Sequence, residues 1–250
     1  MNTKKRIAII GATSLIAEHC ARLWVEGEPT DLILVGRDLQ RLDRIAADLR
    51  IRSPQSEIKT LQADFLDPIA IHATVERIFQ SGQVDTVLIA QGSLPDQADC
   101  QVDLRHCRDA IEINAISPVL YAEAFARQME ANNSGTIVLM SSVAGDRGRK
   151  SNYVYGAAKG LITRYAQGLQ HRFTGTGVNI LIIKPGPTDT PMTAHLKASG
   201  AKLASVENVA KRIVEGAKLG KSVIYAPGQW KLIMFVIRHL PEAIFKKMNI

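Results

Sequence analysis

The sequence predicts a single α/β domain, a parallel sheet covered by helices on both faces. Two observations carry this. Short, nearly continuous apolar runs recur along the 250 residues, and stretches with helical spacing separate most of them; strands of this kind, alternating with helices, belong to buried parallel sheets. The first run, Arg6 to Ile10, ends in a glycine turn and gives way to a helical pattern from Leu15 to Glu26. Asp31 to Val35 repeats the strand signal, and Asp38 opens a helix in which Leu39, Leu42, Ile45, Ala46 and Leu49 share one face. Ile58 to Ala63 is the third strand and Ile69 to Phe79 the third helix. Val84 to Ala90 is the fourth strand, Val102 to Met129 one long helical stretch, and Thr136 to Ser141 the fifth strand. A helix carrying Tyr155 and Lys159 runs to about Phe173, and Val178 to Ile183 and Val223 to Ala226 supply the last two strands.

Hydrophobic content of 46% with 22% charged residues is ordinary for a soluble globular protein, and no repeat, low-complexity stretch or linker divides residues 1–250. One domain is expected, ending in a hydrophobic, basic extension at about 228–250. Ile7-Ala8-Ile9-Ile10 is too short for the apolar core of a signal peptide, so a cytoplasmic location is expected. Cys20, Cys100 and Cys107 are odd in number and lack Cys-x-x-Cys or His company, which argues against disulfides and metal sites. The net charge of +7 is uneven: six cations face Glu242 alone between Lys218 and Ile250. No groove-reading motif accompanies that charge and few aromatics interleave with it, so no nucleic-acid partner is expected. A phosphorylated cofactor, an anionic substrate or a membrane surface accounts for it better.

The chemistry lies in three residues. Tyr155 and Lys159 are four apart and share a helix face, and Ser142 stands thirteen residues before the tyrosine. An ammonium beside a phenol favours the ionised form and moves the phenol toward working pH. Ser142, at the end of the fifth strand, can hold the oxygen of a carbonyl that Tyr155 protonates; hydride must then come from a cofactor. Tyr-x-x-x-Lys alone is a common coincidence of a solvated helix. Its company is not: Asn114 precedes the strand bearing Ser142, and Lys184-Pro185-Gly186-Pro187-Thr188-Asp189-Thr190 follows the next strand. With these residues the chain resembles the short-chain dehydrogenase/reductase family over nearly its whole length.

That resemblance implies a doubly wound, Rossmann-like sheet with the cofactor across the carboxyl ends of the strands. It makes Tyr155 the proton donor, gives Lys159 the tasks of lowering the tyrosine pKa and binding the nicotinamide ribose, and has Ser142 orient the carbonyl. Asn114 matches the residue that kinks the long helix and holds a proton-relay water; as a plain turn residue it would do neither. Ser141 and Tyr153 compete for the catalytic places, but the spacing favours Ser142, and Tyr153 has Ala157 rather than lysine four residues on. Pro185, Gly186, Thr188 and Thr190 fall at the nicotinamide end, while Lys184 reads as a strand-end surface residue. A homo-dimer or homo-tetramer is implied.

For the cofactor, Gly11, Thr13, Ser14, Leu15 and Ile16 form the first strand-to-helix turn, where backbone N–H groups and the helix dipole favour a pyrophosphate. The family usually carries three glycines here; only Gly11 remains, with Leu15 and Ala17 at the other two places. Leu15 puts a side chain where the backbone normally approaches phosphate. At the end of the second strand a carboxylate would select NAD, but Val35-Gly36-Arg37 offers space and a guanidinium for a 2′-phosphate, so NADP is expected. Arg37 can also be an ordinary solvated cap. Asp64 matches the aspartate that receives the adenine amino group, or caps the next helix. Ala90 and Gly92 stand in Ile89-Ala90-Gln91-Gly92, where the family commonly shows Asn-Asn-Ala-Gly.

Arg147, Arg149 and Lys150 lie between Ser142 and Tyr155, either bordering the substrate or facing solvent. Trp230-Lys231-Leu232-Ile233-Met234-Phe235-Val236-Ile237-Arg238 is too short to span a bilayer, which needs about twenty residues. It suits a helix in the membrane interface, or equally a contact with a partner subunit. With the Gly-x-Thr-Ser opening at Gly11 to Ser14, the chain resembles the branch of the family related to decaprenylphosphoryl-2-keto-erythropentose reductase. This implies NADPH-dependent reduction of a lipid-linked keto-sugar at the cytoplasmic membrane face, with a separate oxidase as pathway partner. A soluble reductase of a small ketone, alcohol or acyl thioester would carry the same catalytic set, and a dinucleotide sensor would need no proton donor.

Overall fold

A computed structural model describes residues 4–248. Within them the strands are β1 (Lys5–Ile10), β2 (Thr30–Gly36), β3 (Ile58–Gln62), β4 (Thr86–Ile89), β5 (Gly135–Met140), β6 (Val178–Pro185) and β7 (Val223–Ala226). All pair in parallel, in the order β3-β2-β1-β4-β5-β6-β7. The winding reverses between β1 and β4, which leaves a crevice outside their carboxyl ends. Ile10 pairs with both Val35 and Ile89, so the chain leaves β1, β2 and β4 at one level. Gly11, Gly36 and Ala90 therefore begin their turns side by side.

The helices are α1 (Leu15–Gly27), α2 (Leu39–Arg52), α3 (Pro68–Gln80), α4 (Gln97–Val102), α5 (Leu104–Ile111), α6 (Ser117–Asn132) and α7 (Tyr153–Arg172). They continue as α8 (Ala194–Ala198), α9 (Val206–Lys218), α10 (Trp230–His239) and α11 (Glu242–Phe245). Side chains alternate across each strand, so Ile7 and Ile9 meet α1, α2 and α9 on one face while Ala8 and Ile10 meet α3, α6 and α7 on the other. Each fully buried Leu or Ile in these layers contributes on the order of 1.5–3 kcal/mol. Aspartates start four helices: Asp38, Asp67, Asp96 and Asp103 accept first-turn amides of α2, α3, α4 and α5, about 1 kcal/mol each.

The stretch Val102 to Met129 is not one helix. Asp103 adopts an extended backbone and caps α5, and a π-helical turn at Glu112–Ile116 separates α5 from α6. Pro118 has no N–H to return to the carbonyl four residues back, that of Asn114, and the chain widens there. Between β6 and β7 the sequence reading had no helix, yet α9 forms: Ser205 caps it, accepting the Asn208 amide at 3.2 Å, and Val206, Val209, Ala210 and Ile213 bury one face. Lys184 is not the strand-end surface residue that the sequence suggests. It is 4% exposed, because it forms an ion pair with the buried carboxylate of Asp146 instead of reaching solvent.

Candidate active site

The cofactor side is built where the three turns meet. Gly11 has φ +79, and a Cβ on it would lie 2.6 Å from the Gln91 amide nitrogen, so only glycine lets the first turn nest against the fourth. The amides of Gly11 and Ala12 both donate to Val35 O, at 2.9 and 3.0 Å, which holds the turn over β2. Ser14 precedes α1 without a side-chain cap, so the first-turn N–H groups of α1 remain directed outward. They open on a cleft of about 1100 Å³ lined in part by Gly11, Thr13, Ser14, Leu15, Ile16 and Arg37, and further on by Ala90, Gly92 and Thr190. A nicotinamide dinucleotide fits this donor set: uncapped amides and a glycine cradle for a pyrophosphate, guanidinium groups for a further phosphate. Leu15 occupies the first turn of α1 and borders the cleft without closing it.

Arg37 is joined at the cleft by a second guanidinium. Arg37 is exposed at the cleft, its carbonyl accepting Gln62 Nε2 at 2.9 Å. One helical turn on, Arg41 also lines it and donates to Thr13 O at 3.2 Å. The spacing Arg37-x-x-x-Arg41 behind the Asp38 cap was the available signal. Asp38 itself accepts the Arg41 amide at 3.0 Å. Asp64 is committed locally: Oδ1 accepts the amides of Leu66 and Asp67, and these bonds hold its carboxyl below the usual range. Its neighbours Phe65 and Leu66 line the cleft.

At the other end, β5 delivers two serines with opposite fates. Ser141 Oγ donates to Lys159 O at 2.9 Å and meets Thr163 Oγ1 at 2.8 Å, which ties it to α7 as structure. Ser142 Oγ accepts the Ala144 amide at 3.1 Å and reaches Pro185 O at 3.5 Å. Burial pushes the Tyr155 phenol up, and the Ser142 hydroxyl beside it pulls the other way. Lys159 is 4% exposed and its Nζ donates to Met140 O at 3.0 Å, 5.7 Å from the centre of the Tyr155 ring. Burial brings Lys159 down to about 8. Desolvation is the larger of the two effects on Tyr155, so the phenol stands above its ordinary value, opposite to the direction expected from the Lys159 ammonium.

Asn114, fully buried, uses its side chain as a strut. Oδ1 accepts the Ser93 amide at 3.0 Å and Nδ2 donates to Ala110 O at 2.9 Å. A Cβ on Gly92 would stand 2.8 Å from Asn114 Oδ1 and 3.4 Å from Lys159 Nζ, so the fourth turn, the π-helical turn and α7 converge on one point. Tyr153 is 44% exposed and apart from this convergence in its burial. Thr188 and Gly186 are less free than expected: Thr188 Oγ1 donates to Gly186 O at 2.9 Å, and the Trp230 indole covers the Gly186 α-carbon. Pro185 takes its place through its carbonyl toward Ser142. Of the three loop cations, Arg147 is spent on the carbonyls of Ile237 and Leu240, while Lys150 is exposed.

The sheet order, the glycine-cradled crevice and the Ser142/Tyr155/Lys159 group describe an oxidoreductase of the dinucleotide-binding α/β class. Residues 5–200 match the short chain dehydrogenase family, and the chain belongs to it. It is 29% identical over 248 residues to an uncharacterized oxidoreductase of Streptomyces coelicolor, covering 98% of this chain and 96% of that one. An uncharacterized oxidoreductase of Mycobacterium tuberculosis is 30% identical over 244 residues, covering 97% and 96%. Among solved structures, levodione reductase superposes with a TM-score of 0.82 at 20% identity over 92% of this chain and 98% of that one. A short-chain dehydrogenase from Sphingobium yanoikuyae in complex with NADPH does so with a TM-score of 0.82 at 22% identity, over 98% and 96%.

Proposed function

We propose that this oxidoreductase transfers hydride between NADP(H) and a keto group, with Tyr155 as proton donor. The observation that carries the proposal is Lys159: a buried ammonium with no carboxylate partner among the described residues, beside a phenol and a strand-end serine. A charge is kept in so dry a place at a cost, and structure alone gives no reason for it. When bound, the cofactor supplies hydride to the carbonyl carbon. Tyr155 gives its phenolic proton to the carbonyl oxygen, Ser142 donates a hydrogen bond to the same oxygen, and Lys159 stabilises the phenolate left behind. Asn114, whose carbonyl Pro118 cannot engage, carries the replacing proton through a bound water. Gly11, the first-turn amides near Thr13 to Ile16, and Ala90 and Gly92 hold the dinucleotide; Pro185, Gly186, Thr188 and Thr190 frame its nicotinamide end, and Asp64 the adenine. Arg37 and Arg41 favour NADP over NAD, since the nearest carboxylate, Asp38, is engaged in its helix cap.

For the substrate, the proposal extends to a lipid-linked keto-sugar made by a partner oxidase, as in the decaprenylphosphoryl-2-keto-erythropentose reductase branch, at the cytoplasmic membrane face. Its support is Arg149, which is half-buried beside the catalytic loop with its Nε unpartnered and its pKa lowered by burial. An anionic group on the substrate would satisfy it. Assembly as a homo-dimer or homo-tetramer is supported by Val102 and Leu104, 88% and 80% exposed on neighbouring helices. NADPH consumption against keto-sugar phosphates and ordinary ketones tests the scheme. Turnover confined to phosphorylated keto-sugars bears it out; turnover of neutral ketones alone leaves the catalytic scheme and removes the anionic substrate.

A further inference from the structure

The last helices turn their apolar side away from the body. On α10, Trp230, Met234 and Ile237 recur at helical spacing on the inward face: Met234 is fully buried and Trp230 lies on Gly186. The opposite face carries Leu232, Phe235 and Val236, exposed at 70%, 61% and 51%. A helix beside water shows the reverse pattern. Beyond Pro241, Ile244 of α11 is also exposed. Lys231 and Arg238 flank the apolar stripe and Lys246 and Lys247 follow it, while Glu242, the single carboxylate from Trp230 to Met248, is paired with Lys246 at 2.6 Å.

We infer that α10 and α11 form a docking surface for an anionic lipid bilayer, entered by Leu232, Phe235 and Val236 while Lys231 and Lys247 meet the headgroups. The inference is independent of which ketone is reduced. No described helix is long and apolar enough to cross a membrane, and ten residues make about 15 Å of helix, which suits an element lying flat. Charge decides between lipid and a second copy of the chain. A two-fold contact through this face would set its net positive charge against itself; an anionic bilayer offers apolar depth and negative charge together. Docking would also place the active site. Arg147, five residues after Ser142, donates to Ile237 O and to Leu240 O at 2.8 Å and stacks 3.8 Å from the Phe245 ring centre, so the surface is latched to the catalytic loop.

Cosedimentation of the full-length protein with phosphatidylcholine vesicles, with and without phosphatidylglycerol, tests this alongside sedimentation velocity without lipid. Binding is expected only with phosphatidylglycerol and weakening with salt. Leu232→Ser/Phe235→Ser should weaken it at least about tenfold, and Lys231→Gln/Lys247→Gln about fivefold for each cation removed. Unchanged NADPH affinity and melting temperature would show that both variants fold. Intact protein that ignores anionic vesicles, or binding that survives both variants, overturns the inference. An oligomer that Leu232→Ser/Phe235→Ser takes apart, with vesicles ignored, assigns the face to a second copy instead.

Discussion

A single hydroxyl separates catalysis from binding at Tyr155. Tyr155→Phe removes the donated proton while keeping the ring packing, so kcat should fall by about a hundredfold or more with NADPH binding unchanged. Near wild-type turnover in that variant would remove Tyr155 from the mechanism. The pH dependence of reduction is expected to follow Lys159. Its folded value of about 8 lies below its ordinary 10.5, so it is charged at neutral pH and loses its proton before the raised Tyr155 does. Reduction by the wild type should therefore decline as pH climbs past about 8, and a flat profile from 7 to about 9 would reject the role. The same depression is a stability statement. The unfolded chain holds the proton up to 10.5, so the burial cost is fully present below about 8 and is relieved between the two values. Lys159→Met should accordingly raise the melting temperature at pH 7 by more than at about pH 10. At the adenosine end, Arg37→Ala and Arg41→Ala should each weaken NADPH by about 1–3 kcal/mol and leave NADH nearly unchanged; equal losses for both cofactors in a binding titration would reject the phosphate assignment. Arg37 was legible as the residue after the second strand. Arg41 was signalled only indirectly, by its spacing from Arg37 on the helix that Asp38 starts.

At the scale of elements, the candidate site rests on a 3-10 turn, Val143–Asp146, lying against α7. Gly145 makes that contact possible: a Cβ there would stand 2.7 Å from the Lys159 carbonyl carbon. Gly145→Ala must push the turn off α7 and move Ser142 with it. The expected result is a lower melting temperature together with a loss in kcat larger than any change in NADPH affinity; normal turnover would show that the turn is free to move. Alternating strands and helices with clear caps were readable from local pattern, since a strand alternates by two and a helix by 3.6 whatever surrounds them. The breaks at Asp103 and Glu112–Ile116 carried a weaker signal. Leu104 and Ile111 are apolar and seven residues apart, a helical spacing, yet exposed, so periodicity ran on where the chain bends. The missed α9 had its cap and stripe in plain view at Ser205 to Ile213.

Across the whole molecule, one buried group joins the catalytic turn to the far edge of the sheet. Asp146 pairs with Lys184 of β6 and accepts the Tyr225 hydroxyl of β7 at 2.7 Å; burial and that bond push the Tyr225 phenol up to about 12. Removing one partner of a buried ion pair costs roughly 3–5 kcal/mol, whereas removing both can be nearly neutral. Asp146→Ala should therefore lower the denaturation midpoint sharply, and Asp146→Ala/Lys184→Met should recover most of it; a double variant as unstable as the single one would show that the group acts by packing alone.

The sequence by itself determined the architecture and singled out Ser142, Tyr155 and Lys159 as candidates, because strand runs, helical stripes and residue spacing are local facts carried by a few consecutive residues. Only the tertiary structure decided which charges are neutralised. Lys184 and Arg147 look like solvent-facing cations in sequence, and each is consumed by groups distant along the chain, Asp146 and the carbonyls ending α10. Ser141 and Ser142 are adjacent and chemically identical, yet packing ties Ser141 to Lys159 O and Thr163 on α7 while Ser142 meets Ala144 and Pro185. The physical reason is common to all three: periodicity is written in the backbone geometry, but desolvation and hydrogen-bond partners exist only once remote segments have met.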